Sequence, residues 1–404
     1  MSELVVKCAQ LATPTGNTLK KGEEMRALKI IDNAGIAISD GVIAETGRYG
    51  AVRNKRSGKT LNLEDYLAIP AFVDCHTHAV FSGDRAMELG MKLEGRSYRE
   101  IGEAGGGILS TVKNTGNSSV RRLATDAEKR LSEMISGGTC CFEIKSGYAL
   151  TLEGEIAMLK AIGQLGRRYC TVPTYMGAHT VPAGRKRSEY IDEIIRKHLP
   201  AIASANLAEF CDVFIESFAF TPEEGLTVLE NAKKAGMKTT AHIDEFSNTG
   251  AAEMLSEAGV QSLSHLAHTG RDEFSILAEH GVAGVILPTT PLFSFEERYP
   301  DASAMVSEGM AVATGTDLSP NSFNMSMMLS CLMSVYKCRL RQEEALTAST
   351  VNSACVIGRG NEIGSVERRK IANLIFLPVD DISKFMYEYS EANVRVMNAG
   401  TMVR

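Results

Sequence analysis

The chain has 404 residues, of which 44% are hydrophobic and 23% charged, with a formal net charge of −6. That length suits one large domain and a smaller one in the composition of a soluble globular protein, and the negative balance offers no basic field to hold nucleic acid or an anionic membrane. No apolar run approaches the length that spans a bilayer, and the opening MSELVVKCAQLATPTGN lacks the apolar core of a signal peptide.

Residues 1–66 carry short strand-like runs, LVVKCAQL, ALKIIDNAGIAI and GVIAETG, separated by Gly, Asn and Asp turn signals. They predict the N-terminal part of a small β-domain. At Leu67 the texture changes to alternating strand and helix. The apolar LAIPAFVDCHTH ends on His76 and His78, and a loop holding Gly105, Gly106 and Gly107 leads to a helix from Arg121 to Ile135. TCCFEIK, ending at Lys145, reads as the second strand, and CTVPTYMGAH, ending at His179, as the third. EFCDVFIE ends at Glu216, MKTTAH at His242 and QSLSH at His265; VAGVILP and MAVATGTD, the latter ending at Asp317, complete eight strands. Helical segments lie between them, among them Leu152 to Leu165, Tyr190 to Ala203 and Pro222 to Ala235.

Eight such repeats across 67–360 predict an α/β fold, a closed (β/α)8 TIM barrel. An open doubly wound sheet is the competing arrangement, but it would gather polar groups at one switch point. Here they end strands 1, 2, 3, 5, 6 and 8. Two helices, Asn324 to Tyr336 and Gln342 to Val356, follow the last barrel strand. The tail, 361–404, returns to strand texture in NLIFLPVDD and NVRVMNAGTMVR, and is expected to join the head in one small β-domain. The nine cysteines form no Cys-x-x-Cys pair and are odd in number, which points to a reduced, cytoplasmic chain. Cys140 and Cys141 read as small buried residues.

His76 and His78, two apart on a strand, point to one face and can chelate a single ion, whereas Cys75 between them points away. His242 and Asp317 end strands 5 and 8, and a barrel brings all four to one mouth. Singly, His242 could be a buried hydrogen-bonded histidine and Asp317 the cap of a turn. Together they make an N/O set suited to Zn²⁺ or Fe²⁺, with the capacity to bring the pKa of water towards neutrality.

The order of these elements resembles the amidohydrolase superfamily. Within it, DCHTHAVFSGDR, AGGGI, EIKSGYALTLE, YMGAHTVP, AEFCDVF, AHIDEF and ATGTD resemble the imidazolonepropionase family over nearly the whole chain. The resemblance implies a mononuclear site holding one Zn²⁺ or Fe²⁺/Fe³⁺ per chain on His76, His78, His242 and Asp317. It implies a homodimer, and hydrolysis of the cyclic amide C–N bond of 4-imidazolone-5-propanoate to N-formimidoyl-L-glutamate in histidine degradation. Lys145 stands near the lysine that bridges two metals in binuclear relatives, but in this family it does not play that part, and it reads as structural.

A propionate calls for a cationic, bidentate partner, and Arg85 is suitably placed seven residues past His78. Tyr148 and His179 match substrate-holding positions of the family, and His265 its carbonyl-polarising histidine. Glu245 is assigned to water activation or substrate orientation. Asp317 is also expected to carry a proton to the leaving nitrogen, a duty whose division with Glu245 and His265 stays open. After Asp317 the family pattern reads Asp-Phe-Asn-Pro-Gly-Ser, whereas this chain has Leu318-Ser319-Pro320-Asn321-Ser322. Ser322 keeps the hydroxyl, Ser319 replaces an amide that contacts the ligand, and Asn321 replaces a glycine in a backbone expected to differ. Two alternatives follow from the same residues. One is an aminohydrolase of another heterocycle, for which Arg85 and Tyr148 would have no purpose. The other is a silent binding barrel, which would lack ligands that this chain has.

Overall fold

A computed structural model describes residues 3–96 and 98–404. The head supplies β1 (Glu3–Thr13), β2 (Lys29–Ser39), β3 (Val42–Arg48) and β4 (Lys59–Pro70). The barrel strands are β5 (Phe72–Thr77), β6 (Thr139–Lys145), β7 (Cys170–Ala178), β8 (Phe210–Ile215), β9 (Lys238–Ile243), β10 (Ser262–His265), β11 (Ala283–Ile286) and β12 (Val312–Thr314). The tail adds β13 (Leu374–Leu377), β14 (Arg395–Asn398) and β15 (Thr401–Met402).

β5 to β12 pair in parallel and in chain order. They are short and buried on both faces, as parallel strands under a layer of helices must be; every residue of TCCFEIK is buried. The helices start where the chain offers caps. Thr151 accepts from the Gly154 amide ahead of Leu152–Leu165, and Thr221 and Glu224 form a reciprocal capping box with Pro222 at the first position of Pro222–Lys234.

Closure of the barrel positions the site. The Asp317 amide donates to His76 O (3.1 Å) and the His78 amide to Leu318 O (2.8 Å). Beneath them the Asp74 carboxylate accepts from the Thr316 amide (3.0 Å) and from Thr316 Oγ1 (2.6 Å). Burial pushes Asp74 up to about 7 against the pull of those bonds. The seam between the first and last barrel strands therefore holds two histidines and an aspartate within one hydrogen-bond ladder.

The apolar run from Leu67 to His78 proves to be two strands. Leu67–Pro70 ends β4, which pairs antiparallel with β13 in the seven-stranded sheet of order β15-β14-β13-β4-β1-β2-β3. Head and tail do form one sheet. It closes on its own apolar layer, including Val6, Leu11, Ile36, Ala68, Leu374 and Phe376. Gly138 (φ +101°) opens β6 where a Cβ would stand 2.6 Å from Ile375 Cδ1, so the two sheets meet at a position only glycine fits.

Three expectations are corrected. Cys141 and Cys170 are register partners on β6 and β7 and form a disulfide, leaving seven free cysteines; the pair is 29 residues apart, and only the parallel register brings it together. The stretch around Gly105–Gly107 is not one loop but the helices Met87–Leu93, Tyr98–Glu103 and Gly107–Gly116. The segments expected as single helices over 190–203 and 342–356 each contain a wider π-type turn. In the second, Asn352 Nδ2 donates to Val312 O (2.9 Å) and Ser353 Oγ to Thr314 O (3.0 Å), stitching it to β12. No helix among the described residues is long and apolar enough to cross a membrane.

Candidate active site

The pleat of β5 turns His76 and His78 to the same side, where His242 of β9 meets them; one ring nitrogen of each lies within 4.8 Å of the others. His78 Nε2 is 3.3 Å from His242 Nε2, and Asp317 Oδ1 lies 3.6 Å from His76 Nε2 and 3.7 Å from His78 Nε2. His76 Nε2 is buried without a hydrogen-bond partner, a condition that costs free energy unless something fills it. The opposite nitrogens of two of them are anchored, His76 Nδ1 with Ser264 Oγ at 3.0 Å and His242 Nδ1 donating to Asp212 Oδ1 at 2.9 Å, whereas His78 Nδ1 is buried without a hydrogen-bond partner. Burial, reinforced by neighbouring positive groups, keeps His76 and His78 well below their usual pKa. Neutral imidazoles with converging lone pairs beside a carboxylate are what a divalent cation requires, so these residues fit one.

Support for His242 comes from below. Asp212 also forms an ion pair with Lys145 (Nζ to Oδ2, 2.7 Å), and Lys145 reaches Glu143 Oε1 at 2.8 Å. Burial would raise Asp212, but His242 and Lys145 outweigh it and hold the carboxyl well below its range. Glu143 has Lys145 but also Asp212 as a repelling neighbour, and burial raises it. Lys145 is thus the centre of a buried carboxylate pair.

Above the histidines a cavity of about 500 Å³ opens, lined by His78, Arg85, Tyr148, His179, His242, Glu245, His265, Asp317, Ser319 and Asn321 among others. His179 stacks on His78 (centroids 5.2 Å apart, 25° between planes) and donates Nδ1–H to Gly147 O; burial takes it down to about 3, so it is neutral. His265 Nε2 lies 3.5 Å from Glu245 Oε2. Glu245 is raised well above the usual carboxyl range by burial and then by Asp317. His265 (φ +74°) and Asp317 (φ +52°) both hold left-handed backbone, a strain that concentrates at functional positions.

Of the predicted substrate contacts, Arg85 and Asn321 line the cavity with partners of their own, and Ser322 lies outside it. Ser322 is fully buried and outside the cavity lining; its amide donates to Ser319 Oγ and its carbonyl accepts from the Ser319 amide, so it shapes the turn. Asn321 is not among the positive-φ residues; its side chain instead accepts from Lys92 Nζ at 2.8 Å and donates to Ser294 Oγ. Arg85 lines the cavity, but its Nε and Nη2 donate to Glu88 Oε1 (2.6 Å) and Oε2 (2.7 Å), and Glu88 also accepts from the Gly107 amide. Sequence reading missed Lys92, Arg96, Glu296 and the aromatic wall of Phe214, Phe218 and Phe246 in the lining, and Glu88 behind Arg85. Only Glu88 left a signal, its three-residue spacing from Arg85.

Residues 67–403 match the amidohydrolase family. The chain is 37% identical to the imidazolonepropionase of Thermoanaerobacter pseudethanolicus over 98% of its own length and 95% of that protein. It is 38% identical to that of Bacteroides fragilis over 94% of each. Among solved structures, guanine deaminase from Bradyrhizobium japonicum superimposes with a TM-score of 0.71 at 15% identity, covering 100% of this chain and 99% of that one, which speaks to the fold alone. With a barrel closed over three histidines and an aspartate, and relatives of this identity along nearly its full length, the chain belongs to the amidohydrolase family and, within it, to the imidazolonepropionases.

Proposed function

We propose that the chain hydrolyses the ring amide of 4-imidazolone-5-propanoate to N-formimidoyl-L-glutamate, with one zinc or iron ion held by His76, His78, His242 and Asp317. The observation that carries this reading is the convergence of those four groups on one side of a cavity that also presents basic side chains to an anionic ligand. The ion, when bound, supplies Lewis acidity that makes water a nucleophile near neutral pH. The water oxygen bonds to the ring carbonyl carbon, the carbon–nitrogen bond breaks, and a proton of that water ends on the leaving nitrogen. Asp317 carries this proton, Glu245 orients water and ring, and His265 donates a hydrogen bond to the carbonyl oxygen as its charge develops. Tyr148 and His179 position the ring and its tail, Ser319 and Asn321 line the same side, and Ser322 keeps their turn in shape. The same reading makes the protein a cytoplasmic homodimer.

Purified protein assayed by loss of the substrate's ultraviolet absorbance, with metal measured on the same sample, is expected to show turnover with about one metal per chain. A chelator should abolish turnover, and zinc or iron should restore it. Metal without turnover would turn attention to aminohydrolysis of another ring, and neither would point to a silent barrel.

Arg85→Ala is expected to raise KM by roughly ten- to hundredfold, the worth of a hydrogen bond to a charged group, with metal content unchanged. The loss has two sources, because the variant also leaves Glu88 as a bare carboxylate facing an anionic substrate. An unaltered KM would remove Arg85 from the substrate's surroundings.

A further inference from the structure

The cavity holds three basic side chains, Arg85, Lys92 and Arg96, and they are not equivalent. Arg85 is paired with Glu88 through two hydrogen bonds, and Arg96 with Glu94 at 3.0 Å. Lys92, half-buried on the helix Met87–Leu93, donates instead to two neutral acceptors, Asn321 Oδ1 at 2.8 Å and Phe293 O at 3.3 Å. Among the described residues no carboxylate comes within 4.0 Å of its ammonium. Glu88, one turn earlier on the same helix, has its oxygens engaged by Arg85 and the Gly107 amide.

Charge accounting then singles out one group. Two of the three cations are neutralised locally, so the unbalanced positive charge of this wall belongs to Lys92. A cation withdrawn from water and met only by carbonyl dipoles gains more than a paired one when an anion arrives, because its Coulomb energy is still unsatisfied. Burial and then the nearby Arg85 lower its pKa, outweighing the opposing pull of Glu88, whose carboxylate is spent on Arg85 and the Gly107 amide. The bond to Asn321 matters as much as the charge. It holds a flexible four-carbon stem in one place against the loop that follows Asp317, and Asn321 is held in turn by Ser294. The ammonium is therefore ordered before a ligand binds, which reduces the entropy lost on binding.

We propose that Lys92 is the specificity-determining cation of this cavity, selecting substrates that end in a carboxylate, and that Asn321 is the residue that positions it. Arg85, in this arrangement, offers the substrate directed hydrogen bonds from a guanidinium already neutralised by Glu88, while Lys92 supplies the net charge. The proposal rests on the imidazolone-propanoate reading and names the residue behind its choice of an anionic tail.

The test compares charged and uncharged ligands in the metal-loaded enzyme. Imidazole-4-propanoate and its methyl ester serve as competitive inhibitors of turnover by wild type, Lys92→Met, Lys92→Arg and Asn321→Ala. Lys92→Met is expected to weaken the propanoate about tenfold or more while leaving the ester within about twofold. KM should rise in parallel, with kcat and metal content held. Lys92→Arg should recover most of the loss because it restores the charge, and Asn321→Ala should show the same KM-only pattern at smaller size. Equal weakening of both inhibitors, or an unmoved KM in Lys92→Met, overturns the assignment while wild-type turnover leaves the reaction standing. Wild type that does not turn the substrate over removes the reading first, and the proposal falls with it.

Discussion

Lys145→Met is expected to destabilise the fold by about 3–5 kcal/mol, the range found when one member of a buried ion cluster is removed, and to loosen metal at the same time. Lys145 is almost wholly enclosed, and its ammonium is the common partner of Glu143 and Asp212. Burial alone would strip its proton, but the two carboxylates more than offset that and keep it charged. A methionine of similar length fills the space and leaves two carboxylates facing each other in the barrel interior. Asp212 is also the group that fixes the His242 ring through Nδ1. A disturbed Asp212 therefore reaches the metal site, and loss of such outer support typically weakens metal by roughly 10–100-fold. Thermal unfolding should show a fall of several degrees in Tm, and dialysis against a weak chelator should remove metal faster than from wild type. An unchanged Tm would mean that the two carboxylates are accommodated without the cation, and the cluster would lose its structural role.

The four metal-ligand candidates were legible because each obeys a rule that holds before any contact is known. Alternation on a strand puts His76 and His78 on one face, and a barrel carries the ends of its parallel strands to one rim, so His242 and Asp317 follow from strand order. The strands themselves were legible for the same reason: buried parallel strands are short apolar runs, and TCCFEIK is read to its last residue.

What stayed hidden depends on partners distant in the chain. The Cys141–Cys170 disulfide requires the register of β6 against β7. The division of Leu67–His78 requires knowing that β13 pairs with Leu67–Pro70. Lys92 reads as one more surface lysine on a short helix until Asn321, 229 residues later, is seen to hold it. In the sequence Asn321 stands out as an oddity of backbone, whereas its consequence lies in its side chain. Glycine-rich sequence around Gly105–Gly107 reads as a loop, yet Gly107 begins a helix whose first amide is claimed by Glu88. Local pattern reports faces and strand ends; it is silent on which charges are matched.

Replacing His265 is expected to lower kcat about 10²–10³-fold, the usual effect of losing a donor to a developing oxyanion, with KM nearly unchanged. Its ring lies 5.2 Å from that of His242, and the side chain is nearly buried. Burial, and then His242, keeps it well below the usual pKa, so it meets the substrate as a neutral imidazole that offers one N–H. Such a donor is worth most when the carbonyl oxygen carries charge, which is why the loss should fall on kcat and not on ground-state binding. The choice of variant matters, because His265 holds φ +74° and Leu266 follows at +57°. Alanine tolerates left-handed backbone poorly, and asparagine tolerates it well. His265→Asn therefore removes the imidazole without adding strain, and His265→Ala should show the same kinetic loss plus a lower Tm. Glu245→Gln provides the control, since Glu245 Oε2 lies 3.5 Å from His265 Nε2. If His265 acted only by orienting Glu245, the double variant would be no slower than the worse single one. If His265 contacts the reacting oxygen itself, the double variant should be slower than either. A change confined to KM in His265→Asn would place the ring in the ground-state grip on the substrate and leave the oxyanion to another donor.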